Sequence, residues 1–388
     1  MVVFSQIPYG ILVAISCVMF GLANAAPSPI DSKKSSGSDS SNNDSSEKSF
    51  TLPPLIPNRV IPPHLPHSPN NFDVESENIA RNLQWFQQHG GNMNVTKRED
   101  NTVGGMTLEV PENAPPIPGD SNGIIKASSS QINSYKKYTA LANIAYCEGV
   151  VPLTNWICKR CLNYVPDGKI IKTFTSYTYD INGYILRSDA EKTIYLAFRG
   201  TKSFKNAVAD LQFVLKTYPN VKGAKVHEGF LEAYNEVIAS FFPTMLDQIT
   251  AFPKYKVVIL GHSLGGAQAL LAGIDLYQRD VRFSPDNMSI VTAGCPRVGN
   301  PTFAQYFNSI RVPFARIVNK RDIVPHLPPQ SFGFLHPGIE VWIKSTNNIQ
   351  ICEQNTESKK CSNSIVPFTS IYDHTHYFYT NESDKSCS

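Results

Sequence analysis

Along this chain the spacing of apolar and polar positions changes near residue 119. From residue 31 to 49, Ser, Asn, Asp and Lys dominate, with almost no apolar residue between them. Such a stretch cannot bury enough surface to offset the entropy of ordering it. Pro-rich stretches follow at 52–69 and 111–118, and half of the 28 prolines precede residue 119. Beyond that point the periods of folded elements begin. Residues 131–147 repeat at helical spacing, and 230–251 form a longer amphipathic helix. Residues 170–177, 184–187 and 193–198 read as strands, 256–260 as a short buried strand, and 264–277 as a helix that starts just after it. Residues 289–292 and 314–318 read as further buried strands. Strands alternating with helices predict an α/β fold whose predominantly parallel central sheet is flanked by helices on both faces.

The N-terminus adds a different signal. Residues 11–22 are apolar over the length of a secretory h-region, too short to span a membrane comfortably. Ala23-Asn24-Ala25 follows with small residues where a signal peptidase reads, so residues 1–25 are expected to be a signal peptide and the protein to be secreted. No Lys or Arg precedes the apolar run, which departs from the usual pattern. Within the polar, Pro-rich region, Lys97-Arg98 is a dibasic pair. Residues 26–98 therefore read as a propeptide, extending at most to about 118, with one globular domain over 119–388.

Composition narrows the function classes. A net charge of +3, dispersed along the chain, gives no footprint for nucleic acid. Seven of the eight cysteines lie beyond the signal, an odd number, so one thiol is left over if the rest pair as export favours. Cys158 and Cys161 have no second Cys or His pair at metal spacing, so a local bridge is a better reading than a metal site. Asn43, Asn94, Asn287 and Asn381 stand in glycosylation sequons.

The strongest chemical signal is Gly261-His262-Ser263-Leu264-Gly265-Gly266, set between the buried strand and the helix. That is the context of a nucleophile elbow: small residues allow a tight turn that lifts the serine hydroxyl, and the helix N-terminus favours negative charge beside it. A serine nucleophile needs a base, and the base needs an orienting carboxylate. On this architecture they follow in the order Ser, Asp or Glu, His. Asp322, just after an apolar strand, is the candidate acid; His374 and His376 both lie far enough downstream to be the base, and His374 is favoured.

From about residue 119 the chain resembles the filamentous-fungal triacylglycerol lipases of the Rhizopus and Rhizomucor type, a branch of the class 3 lipases. The segments that carry the resemblance are 195–201 (YLAFRGT), 226–230 (VHEGF), 261–266, 296–301 (PRVGNP), 321–326 (RDIVPH) and Asp373-His374. The resemblance implies an α/β-hydrolase-like fold with Ser263 as nucleophile, Asp322 as orienting acid and His374 as base. It implies an oxyanion hole from the Leu264 N–H and from Thr201, and no metal or organic cofactor. It pairs Cys147 with Cys387, Cys158 with Cys161 and Cys352 with Cys361, leaving Cys295 free. His262 and His227 are given only packing roles.

Between Thr201 and the rest of the fold, residues 203–216 place Phe204, Ala207, Val208 and Leu211 at i, i+3, i+4 and i+7, with Lys205, Asn206 and Asp210 opposite. The related lipases carry a hinged helical lid there. The expected substrate is triacylglycerol or another lipid ester, met by a monomer at a lipid–water interface. A phospholipid ester and a feruloyl ester on the same fold are the alternatives.

Overall fold

The strands of the central sheet carry apolar residues on both faces, because both faces are covered. In Lys256–His262, Val257 and Ile259 enter one buried cluster while Val258 and Leu260 enter another on the opposite side. Thr193–Arg199 repeats this, with Ile194, Leu196 and Phe198 on the first side and Tyr195 and Ala197 on the second. The computed structural model describes residues 50–62, 73–120, 124–201, 203–345, 347–352, 356–379 and 387. The expected signal peptide, the polar stretch up to residue 49, and the sequons at Asn43 and Asn381 lie outside them.

Nine strands form the sheet: β1 (Ile124–Lys126), β2 (Lys169–Thr175), β3 (Asn182–Ser188), β4 (Thr193–Arg199), β5 (Lys256–His262), β6 (Met288–Ala293), β7 (Phe314–Asn319), β8 (Ile339–Ser345) and β9 (Asn348–Cys352). Their spatial order is β1-β9-β8-β7-β6-β5-β4-β3-β2. The five central strands, β8 to β4, run parallel. Both flanks are antiparallel. The parallel pattern read from the sequence is therefore the centre of a mixed sheet.

Helices cover the two faces. α2 (Ser129–Ile144) starts in a capping box between Ser128 and Gln131 and packs on the second cluster. α4 (Glu228–Ala251) and α5 (Leu264–Arg279) pack on the first. α5 is buried almost all round, as befits a helix in the middle of the molecule. Register brings the carboxyl ends of β4, β5, β6 and β7 level: Phe198 pairs with Gly261, His262 with Ala293, and Ala293 with Ile317. Open parallel sheets place their chemistry at that edge.

The segment before residue 119 is not a bare linker in its described part. α1 (Glu75–Gln88) lies against the domain through polar side chains. Asn78 and Asn82 donate to the carbonyls of Asn363, Ser364 and Val366, and Phe86 packs on the ring of Phe368. Glu75 is buried, with Oε1 2.5 Å from Arg297 Nη2, while Glu357 holds the same guanidinium at 2.6 and 2.7 Å. Arg59 caps α5, donating to the carbonyls of Tyr277, Asp280 and Phe283. The inward face mixes Glu75, Asn78 and Asn82 with Phe86, so the apolar period of Ile79, Leu83 and Phe86 is diluted by buried polar side chains.

Among the described residues the disulfides are Cys147–Cys387, Cys158–Cys161 and Cys352–Cys361. The free cysteine among the described residues is Cys295; it is buried, and burial pushes its thiol up to about 12. It has the character of an inert packing residue.

Candidate active site

At the end of β5 the chain turns into α5 through Ser263, whose φ of 57° and ψ of −133° are sparsely populated for a residue with a side chain. Neighbouring positions make room for the turn. A Cβ on Gly261 would sit 2.1 Å from the carbonyl oxygen of Gly265. The Ser263 N–H donates to Ala293 O at 2.9 Å, fixing the elbow to the end of β6. The next residue, Leu264, opens α5, so its N–H belongs to the unsatisfied first turn of that helix.

Asp322 follows β7 in a tight turn and is fully buried. His374 Nδ1 lies 2.9 and 3.0 Å from its two carboxylate oxygens. Tyr377 donates its hydroxyl to Oδ2 at 2.5 Å, and the Val324 N–H donates to Oδ1 at 2.9 Å. Burial alone would raise this carboxyl; the charge and hydrogen bond of His374, with the bonds from Tyr377 and Val324, outweigh it and hold Asp322 below the usual carboxylate range. Gly294, at φ +60°, separates this pair from the sheet, because a Cβ there would lie 2.7 Å from His374 Cε1 and 2.9 Å from Asp322 Oδ2. His374 and Asp322 thus stand against the strand end to which the Ser263 N–H is bonded.

The turn that carries His374 is held from three sides. Ser370 caps it through the Asp373 N–H, Asp373 accepts the Arg321 N–H, and Asn319 donates to the carbonyls of Asp373 and His376. His376 faces elsewhere: its Nδ1 is 2.7 Å from Tyr372 O and its ring stacks on Tyr372. Of the two candidate histidines, His374 is the one the fold brings to Asp322. Tyr377 and Asn319 had no signal in the sequence; both sit in unremarkable contexts and acquire meaning only when β7 and the C-terminal turn are brought together.

Thr201 ends the segment after β4 and shares a small enclosed space with Ser263, Leu264, Ala207, Val208, Leu211, Val324 and Leu327. That space is about 10 Å³, the room of about one water. It is roofed by α3 (Phe204–Ala209), the expected lid. Lys205, Asn206 and Asp210 are exposed, Val208 is buried, and Ala207 and Leu211 are half-buried, so the amphipathic pattern is realised. The helix is shorter than the spacing predicts. It stops before Leu211, because residues 215–217 leave to pair with Lys225–His227. The Phe204 side chain lies outside the described residues.

Beside the roofed space is a larger groove of about 400 Å³, reached past Leu264 and lined by Ile181, Ala207, Leu211, Phe230 and Ala233, with Asp210, Glu228 and Glu232 among its polar members. His227 lines it too; its ring stacks on Phe230 and its Nε2 meets the carbonyl of Gln212, just past the lid. Burial lowers its pKa below the usual histidine range.

The only group of metal-ligating residue types among the described residues, Glu340 with Cys352 and Cys361, uses two cysteines that are joined in a disulfide.

The family model described as lipase (class 3) matches residues 195–332. A lipase of Rhizopus niveus is 52% identical over 392 residues, spanning 98% of this chain and 99% of the relative. A Rhizomucor miehei lipase propeptide complex superposes with a TM-score of 0.75 at 44% identity, covering 87% of this chain and all of that one. A structure in which a serine protease triad forms the catalytic centre of a triacylglycerol lipase superposes at 0.66 with 50% identity, over 69% of this chain and all of that one. The elbow, the α/β-hydrolase-like sheet and this likeness along nearly the whole length agree: the chain belongs to the class 3 lipase family and is a carboxylic ester hydrolase.

Proposed function

We propose that this lipase is secreted and hydrolyses long-chain acylglycerols at a lipid–water interface, with Ser263, His374 and Asp322 as its triad. The observation that carries the reading is the buried Asp322–His374 pair at the same sheet edge as the strained Ser263, which itself lies beneath an amphipathic roof. In this mechanism His374 Nε2 takes the Ser263 proton as the hydroxyl attacks the ester carbonyl, and Asp322 stabilises the imidazolium that results. The N–H groups of Leu264 and Thr201 receive the developing oxyanion. His374 protonates the leaving alcohol, and water then repeats the cycle on the acyl-enzyme to release the fatty acid.

A space of about 10 Å³ above Ser263 cannot admit an acyl chain, so α3 must move. Burial of apolar side chains such as Val208 and Leu211 is worth ~1.5–3 kcal/mol each, which favours the closed state in water. An oil surface offers the same burial to the open state and removes that bias. The groove of about 400 Å³ is of the size that holds a lipid-like ligand and is our candidate for the acyl chain.

Residues 26–98 are proposed to be a propeptide cut after Arg98, which is exposed in the described structure. N-terminal sequencing of secreted protein should find residue 99; a start at Ala26 sinks the processing proposal. The substrate reading is tested by rates on emulsified long-chain triglyceride, soluble short-chain ester and methyl ferulate. Expected is a rise once triglyceride forms droplets, and negligible turnover of methyl ferulate. In a Val208→Asp/Leu211→Asp variant, the emulsified rate should fall while the soluble rate holds or rises. Equal loss on both substrates would mean the segment is ordinary core and no lid.

A further inference from the structure

Gly200, the residue before the proposed oxyanion donor Thr201, has its N–H bonded to a side chain from another element: Tyr146 Oη, at 3.1 Å. Tyr146 lies in the turn after α2. The same hydroxyl is 2.9 Å from His262 Nδ1. His262 Nε2 in turn lies 3.2 Å from the backbone carbonyl of His374. His262 is 1% exposed, and its ring centroid is 4.7 Å from that of His374.

The proton pattern along this chain has one solution for a neutral imidazole. The Gly200 N–H can only donate, and the His374 carbonyl can only accept. His262 therefore carries its proton on Nε2 and accepts at Nδ1, and the Tyr146 hydroxyl donates to Nδ1 while accepting from Gly200.

We infer that Tyr146 and His262 are positioning residues for acyl transfer, a hydrogen-bonded brace that locks the oxyanion turn, the nucleophile and the His374 turn into one geometry. The inference rests on the triad proposed above. His262 is the centre of the brace because it is covalently joined to Ser263 and bonded on either side to the other two parts. Neither residue touches the substrate. What the brace controls is where the Thr201 N–H and the His374 ring stand relative to Ser263 Oγ, and displacements of about 1 Å at such groups cost roughly 100-fold in rate.

The test uses the secreted enzyme and p-nitrophenyl butyrate, a soluble ester that needs no lipid interface. Tyr146→Phe keeps the ring and removes the hydroxyl. It should lower kcat about 10- to 100-fold while KM stays within about 2-fold. His262→Asn retains an acceptor for Tyr146 and loses the reach to His374 O, and should lower kcat in the same way. Because both variants break one brace, the double variant should be little worse than the poorer single one. Thermal unfolding is measured alongside, so that a variant that fails to fold is recognised and the other single variant decides. Wild-type kcat in a folded Tyr146→Phe enzyme, or losses that multiply in the double variant, would overturn the brace. Ser263→Ala and His374→Ala in the same assay separate the two readings: if either keeps its activity, the triad itself is wrong. If both are inactive while Tyr146→Phe is unimpaired, only the brace falls.

Discussion

Asp322 and Glu75 are both carboxylates buried beside a cationic or potentially cationic partner, and they have opposite characters. Asp322 is surrounded by donors from its own turn and from the C-terminal turn, both parts of the sheet edge. Glu75 comes from α1, 222 residues away from Arg297, and shares that arginine with Glu357. Burial acts first on both and raises both. For Asp322 the surrounding donors reverse the shift; for Glu75 the pull of Arg297 is offset by the second carboxylate, and its pKa stays above the usual range. A buried carboxylate is thus held charged when the donors are its own, and is poised when it borrows a cation already in use. The first arrangement suits a permanent part of the machinery, the second a segment that can leave.

The largest effect that could break this contrast is on activity. Ser263→Ala and His374→Ala should each lower turnover on a soluble ester by about 10³-fold or more, and Asp322→Asn by up to about 10⁴-fold, with the fold retained. His376→Ala should change it little. Inactivity of His376→Ala with an active His374→Ala would reverse the assignment of the base.

A smaller effect, on stability, tests the second cluster. Arg297→Ala leaves two buried carboxylates without their cation and should destabilise the full chain by about 3–5 kcal/mol in denaturant unfolding. Glu75→Gln keeps an acceptor for the Gln330 N–H and leaves Arg297 with Glu357, so its cost should be about 1 kcal/mol. Equal costs for the two would show that α1 is as integral as the sheet edge.

The smallest expected effect is the dependence of α1 docking on pH. A Glu75 carboxyl raised in the docked state binds more protons there than when released. Its contribution is complete below the ordinary Glu pKa of about 4.3 and is lost as pH rises through the docked value. Asp73 and Glu77 are shifted downwards, so their contributions change only below their ordinary ranges. Hydrogen exchange of α1 amides, corrected for intrinsic rate, should show less protection at pH 8 than at pH 5; more protection at pH 8 counts against the poised carboxylate.

Much of the catalytic half could be read in the sequence, for a physical reason. The central strands are covered on both faces, so they appear as apolar runs, and the elbow needs glycines at fixed positions around Ser263. What escaped the reading is held by buried polar residues. β8 places Glu340 and Lys344 in buried positions beside Arg316 and Asp120, which interrupts the apolar pattern of a strand. α1 puts Glu75, Asn78 and Asn82 on its inward face beside Phe86. At the site, Tyr146, Asn319 and Tyr377 act on groups 54 or more residues away, and no local spacing marks such partners.

The Cys147–Cys387 disulfide joins positions 240 residues apart. It closes a covalent ring through which Thr201, Ser263, Asp322 and His374 all pass, and which contains both smaller bridges. A single protease nick between Cys147 and Cys387 leaves two chains still joined by that disulfide and releases nothing, whereas a nick after Arg98 falls outside the ring, where no disulfide holds the N-terminal segment to the rest. Backbone scission therefore has two outcomes in this molecule, separable on a non-reducing gel: loss of mass from the N-terminal segment, and a change of topology with no loss of mass within the ring.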